Sequence, residues 1–269
     1  NRNIQFWDGA NTAANGAIDG GSGVWNSTDA NWTSIDGTSN QAWSGQFAVF
    51  QGHAGTVTVN DVQAVDGMQF MTDGYRLVSG TDGSLNIVNR DGGKFAVRVD
   101  PNVTATVNLP LNGTGTLQKL DQGTLALNGA NGYTGGTLLD GGTLVAGSNN
   151  ALGTGALTAA AGTTLANAAA ITLNNDIIVD GQLTLATSND LTLNGSISGS
   201  GGLNKIGADV LTLAGTNSFH GPTTLSAGTL RLSSANPLGS GALNTFHGTQ
   251  LNNSLDLRLG NQINLAGNL

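Results

Sequence analysis

Few side chains in this sequence can do chemistry, and their spacing decides what they could do. There are three histidines, His53, His220 and His247. Nucleophilic hydrolysis needs a serine held by an imidazole that a carboxylate orients. No G-x-S-x-G turn occurs to present such a serine. His220 and His247 both stand in Phe-His-Gly. Coils repeating at about that spacing would stack the two on one edge as a weak metal-binding or pH-sensitive spot. The favoured reading is simpler: turn residues in similar loops.

Polysaccharide cleavage needs clustered carboxylates, often beside a cation. Glutamate is absent and most aspartates precede glycine, as in Asp66-Gly67, Asp73-Gly74, Asp82-Gly83, Asp140-Gly141 and Asp180-Gly181. Such steps supply the positive φ of tight turns. Asp61, Asp66, Asp73 and Asp82 crowd one region and admit a weak cation site, but turn formation is the better account, and no metal or cofactor is expected. Gly153-x-Gly155 and Gly239-x-Gly241 lack the third glycine and following helix of a phosphate loop. Lys119 and Lys205 occupy matching contexts, for which a structural or folding role on the coil surface outranks catalysis.

The elements that must position these residues are strands. Thr56-Val57-Thr58-Val59, Thr104-Ala105-Thr106-Val107, Thr124-Leu125-Ala126-Leu127, Leu191-Thr192-Leu193 and Leu211-Thr212-Leu213 alternate with period two, the mark of a half-buried strand. Glycine numbers 42 of 269 residues and charged residues make up 10%, too few for a disordered chain. The net charge of −8, with nine scattered Lys and Arg, argues against nucleic acid. Cysteine is absent, which suits a cytosolic protein or a bacterial exported one that must stay free of crosslinks. No apolar run reaches membrane-helix length, and Asn1 is consistent with a cleaved leader or a cloning boundary.

The segments 113–144 and 199–230 align at a constant offset, set by Leu117 and Leu203, that continues without a gap to Leu183 and Leu269. Lys119 pairs with Lys205, Gly129 with Gly215, Tyr133 with Phe219 and Gly142 with Gly228. Each copy is too long for one coil and holds several strands, which predicts coils of roughly 20–25 residues. The predicted fold is all-β, a right-handed parallel β-helix over 46–269 that contains the duplicated stretches 111–183 and 197–269. An antiparallel sandwich is the rival, because two-residue turns join antiparallel strands. Residues 1–45 hold all four tryptophans, Trp7, Trp25, Trp32 and Trp43. They are read as an N-terminal cap over the exposed end of the stack. The far end finishes in repeat sequence, which suggests a cut inside a longer protein. Tyr133 and Phe219 are expected in the core.

The pattern G-G-L-x-K-x-G-x-x-x-L-x-L-x-G-x-N-x-[YF]-x-G-x-T-x-L-x-x-G-T-L stands complete at 201–230. It resembles the passenger-associated transport repeat, also called the autotransporter-associated β-strand repeat. The copy at 115–144 departs at Thr116 and in the placing of Gly123. FWDG (6–9), VWNSTDANWTS (24–34), FAVFQG (47–52) and TVTVNDVQAVDGMQF (56–70) are similar to the opening of passengers that carry these repeats. The resemblance implies a bacterial type V secreted protein. Its passenger would cross the outer membrane with the help of its own C-terminal β-barrel and fold on the cell surface, aided by the repeats. It implies adhesion, self-association or biofilm formation, through a copy on a neighbouring cell, a host surface protein or a glycan. A purely structural stalk and transport module is the alternative, and a carbohydrate-active β-helix enzyme comes third.

Overall fold

The computed structural model describes residues 3–90 and 92–266, and every element among them is a strand. Asn1 and the expected pair of Leu183 with Leu269 involve residues outside that range. The chain divides into two compact units, one up to Gly136 and the other from Thr137.

In the first unit the chain winds through three strand positions in turn. One face stacks Ile4–Trp7, Phe47–Phe50, Gly67–Phe70, Phe95–Val99 and Leu117–Leu120, all parallel. A second stacks Gly23–Trp25, Thr56–Val59, Arg76–Ser79, Thr104–Asn108 and Thr124–Leu127. The third stacks Val62–Val65, Ser84–Ile87 and Leu111–Asn112. Within these stacks successive strands of the sequence lie on different faces, and strands paired in register come one coil apart. That is a parallel β-helix, not the antiparallel sandwich.

The second unit repeats the scheme. Thr137–Leu139, Leu157–Ala159, Ile177–Val179 and Ile197–Ser198 form one ladder. Thr143–Ala146, Thr163–Asn167, Leu183–Ala186, Leu203–Ile206, Thr223–Leu225, Leu243–Thr245 and Ile263–Leu265 form another. Ile171–Leu173, Leu191–Leu193, Val210–Leu213, Thr229–Leu232 and Gln250–Asn253 form the third.

The alternation read in the sequence follows from this winding. Parallel strands covered on both faces read as continuous apolar runs. Here one side of most strands faces the interior of the coil and the other faces water, so the burial alternates, as in Leu191–Leu193. Inside, aliphatic side chains of similar volume stack from coil to coil. Leu157 sits on Ile177 and Ile177 on Ile197, while Ile171 sits on Leu191 and Leu191 on Leu211. Outside, asparagine amides bond from coil to coil: Asn128 Nδ2 to Asn108 Oδ1 at 2.8 Å and Asn194 Nδ2 to Asn174 Oδ1 at 2.9 Å, each 20 residues apart.

Among the described residues the antiparallel pairs are those of Trp32–Thr33 with Ile4–Trp7 and with Asn40–Gln41. They lie where the first face ends. Trp7, Trp25 and Trp32 are fully buried there and Trp43 is half-buried. The ring centroids of Trp32 lie 5.1, 4.9 and 4.5 Å from those of Trp7, Trp25 and Trp43. Such pairs contribute about 0.5–1.5 kcal/mol each beyond the area they bury.

Candidate functional site

The duplicated motif opens on a strand written Leu-x-Lys. Period-two geometry puts residues i and i+2 on one face, so the lysine follows the leucine inward. Lys119 and Lys205 are both fully buried. This corrects the expectation that they lie on the coil surface. A charge in the interior must be bonded to be tolerated. Lys119 Nζ donates to Leu120 O (3.0 Å) and Asp121 O (2.8 Å). Lys205 Nζ donates to Ile206 O (3.1 Å), Gly207 O (2.6 Å) and, from the next coil, Ala227 O (3.0 Å). Each ammonium thus satisfies the carbonyls of a corner where the chain leaves its strand.

Burial pushes the pKa of each lysine down to about 8, against partial support for the charge from Asp121 and Asp209 respectively. A group that binds its proton more weakly folded than unfolded makes stability rise with pH between the two values. Here that begins near 8 and runs toward the ordinary 10.5. Tyr75 closes the window from above. Burial raises its pKa to about 12, so beyond its ordinary 10.0 the unfolded chain loses protons that the folded one keeps, and stability falls. The melting temperature is therefore expected to be several degrees higher at pH 9.5 than at pH 7.5, since about 1 kcal/mol moves a chain of this size by roughly 2–4 °C. In the Lys119→Met/Lys205→Met double variant the rise should vanish. An unchanged rise in that variant would remove the lysines as its source.

The motif's asparagine, part of the pattern but not singled out in it, carries a second interior bond. Asn217 Oδ1 accepts Ile197 N–H at 2.8 Å and its Nδ2 donates to Pro237 O at 2.7 Å, so one buried amide ties the coil before it to the coil after. Asn131 Oδ1 likewise accepts Leu111 N–H at 2.9 Å. Tyr133 and Phe219, two residues on, are both fully buried.

The motif glycines divide into two kinds. Gly142 and Gly228 hold φ of 65° and 70°, the left-handed region that side chains disfavour. Gly129 and Gly215 are placed by contact instead: a Cβ there would meet Leu109 O at 2.5 Å and Gly195 O at 2.1 Å.

The remaining chemical residues fall into turns. His220 Nδ1 lies 3.0 Å from Ser240 Oγ, 20 residues on. His247 stands in an exposed turn after Leu243–Thr245, whose partner is Thr223–Leu225. With coils of this length the two histidines do not stack. Asp61 and Asp82 hold left-handed backbone at φ 57° and 52°, and Asp73 Oδ1 accepts Thr104 N–H at 2.8 Å. Gly153-x-Gly155 and Gly239-x-Gly241 turn carbonyls, not N–H groups, toward a common point. Asn175 Nδ2 donates to Gly153 O and Gly155 O (3.1 and 2.8 Å), and Asn261 Nδ2 to Gly239 O and Gly241 O (3.0 and 2.7 Å). An anion would be repelled by such a point.

The repeated geometry coincides with a known family pattern. The model of the passenger-associated-transport-repeat matches residues 117–146 and 203–232, the two stretches that begin on the Leu-x-Lys strands. Over 198 residues the chain is 40% identical to the protein named Adhesin BmaC autotransporter of Brucella suis biovar 1 (strain 1330). That overlap takes in 66% of this chain and 6% of the relative, so the chain spans a small part of the relative's length. No solved structure matches. The chain thus carries two passenger-associated transport repeats and is similar over most of its length to part of an autotransporter, which supports a passenger segment exposed on the cell surface or secreted across the bacterial outer membrane.

Proposed function

We propose that this segment is a non-enzymatic adhesive surface, acting by self-association or by attachment to a host protein or glycan. The observation that carries the reading is the 40% identity to a passenger named as an adhesin. The fold supports it: side chains inside the coils are committed to packing and to satisfying the backbone, which leaves the outward faces for recognition. In this reading residues 1–45 cap the stack, with Ile4–Trp7 and Gly23–Trp25 as its first ladder strands and Trp32–Thr33 with Asn40–Gln41 as the cover beyond them. The edge of a parallel ladder bristles with unpaired N–H and C=O groups, and an antiparallel turn backed by four tryptophans is suited to cover it. The motif residues Lys119, Gly129, Tyr133, Gly142, Lys205, Gly215, Phe219 and Gly228 close and stack coils, and so assist folding during export. The barrel through which the passenger leaves would be its own C-terminal domain.

Beads coated with the chain test the adhesive part. Clumping that excess soluble chain competes away is the expected result. Beads that stay dispersed at every coating density would shift the assignment to a stalk that carries an active segment elsewhere in the passenger.

A further inference from the structure

The chain has nine basic residues against seventeen acidic ones, and three of the nine meet in one groove. Arg90 and Lys94 flank the corner that enters the strand Phe95–Val99, where Gly93 N–H bonds to Arg90 O at 2.5 Å. Arg98 projects outward from that strand. The groove they line has a volume of about 580 Å³ and runs from Ile4 to Leu120, across the outward side of one face of the first unit. Its lining includes Ala96 beside Gln118, and Arg98 between Gln69 and Leu120. At about 4.8 Å per strand, the five strands of that face give it a length of roughly 19 Å along the stacking direction.

Its charges are only partly answered. Arg98 Nη1 is 3.0 Å from Asp121 Oδ1. Gln69 Nε2 donates to Asp100 Oδ1 at 3.0 Å, so one nearby carboxylate is already engaged by an amide. Among the described residues Arg90 Nη1 is buried without a hydrogen-bond partner, and a guanidinium N–H withdrawn from water calls for an anionic oxygen. In a chain that is otherwise acidic, this is a local reversal of sign. Its shape is long and open. Ile4, Ala96 and Leu120 offer apolar surface to sugar rings, and Gln69 and Gln118 offer amides to hydroxyls.

We infer that this groove binds an acidic polysaccharide laid along the stacking direction, with Arg90 and Lys94 holding its carboxylate or sulfate groups. The inference gives the adhesive reading one ligand class. It is tested apart from it, since soluble oligosaccharides can bind whether or not coated beads clump.

The experiment titrates the whole chain at low salt with tetragalacturonate and, separately, with a heparin tetrasaccharide, followed by calorimetry. Saturable binding is expected for at least one; the first alone assigns carboxylate recognition, and the second alone assigns sulfate. Arg90→Gln/Lys94→Gln should weaken it at least tenfold with its melting temperature kept, while Arg231→Gln, exposed in the other unit, should not. Raising the salt should weaken the wild-type chain more than the double variant. The inference is overturned by no saturable binding of either probe, by a double variant that binds as the wild type does, or by equal binding of poly-L-glutamate, which would mark a site for acidic peptide.

Discussion

Lys205→Glu is expected to unfold the coils around residue 205 at a cost on the order of 5 kcal/mol, comparable to that of stranding a buried charge and a large share of a typical folding free energy. The wild-type ammonium faces three carbonyl oxygens. A carboxylate in its place would face the same three with the wrong sign and no donor. Lys205→Met separates charge from hydrogen bonding. It is free of the cost of burying an ammonium but leaves Gly207 O and Ala227 O without the lysine's bonds. At roughly 1–3 kcal/mol for a buried unsatisfied polar group, it should be destabilised clearly less than the glutamate variant. Acid supplies a further check. Burial raises a glutamic acid's folded pKa, so its protonated form, which can donate to a carbonyl, is the tolerated one. Its stability deficit should narrow as pH falls toward 5 and widen as pH rises. Urea unfolding at pH 5 and pH 7.5 measures all three chains. Equal losses for Glu and Met at both pH values would mean that the ammonium's charge and bonds are immaterial.

The sequence points to the fold more clearly than to the interior chemistry. Alternation such as Thr124–Leu127 needs one dry and one wet side, and that alone makes the chain all-β. The long gapless offset favours stacked coils over hairpins, because a stack keeps leucines in register from coil to coil. Lys119 and Lys205 are misplaced by sequence reasoning for a physical reason. A lysine is almost never fully buried, and that prior outweighs the Leu-x-Lys spacing that puts each on the inner face. Asn131 and Asn217 stand in the motif, but their role depends on backbone groups 20 residues away, which no local pattern displays. The histidine spacing misleads because it assumes a coil longer than the one that places His220 on Ser240. The groove of Arg90, Lys94 and Arg98 has no local signal at all: its walls come from strands of successive coils, and the corner before Phe95 supplies two of its cations.

Gly215→Ala should be among the most damaging one-carbon changes in the chain, costing about 3 kcal/mol, the upper part of the range for overpacking. Ordinary helix or turn propensity does not enter, since Gly215 is absent from the positions with left-handed φ. The obstacle is the neighbouring coil. A Cβ would stand 2.1 Å from Gly195 O and 2.7 Å from Gly195 C, and those are backbone atoms whose own position is set by the coil below. Relief requires the two coils to part, but their spacing is held by the ladder pairs of Leu191–Leu193 with Val210–Leu213 and by the Asn217 bonds to Ile197 and Pro237. The strain therefore spreads along the stack instead of being absorbed at one side chain. Gly260→Ala is the matched control, with the same added carbon and nothing within 4 Å of it, and it should stay within about 0.5 kcal/mol of the parent. Because stacked repeats are stabilised by nearest-neighbour interfaces, hydrogen exchange in Gly215→Ala should be fastest in the strands on either side of residue 215 and close to the parent's in the first unit. Equal melting temperatures for the two glycine variants would show that coils can separate at little cost, and would count against tight stacking as the reason for glycine at this position of the repeat.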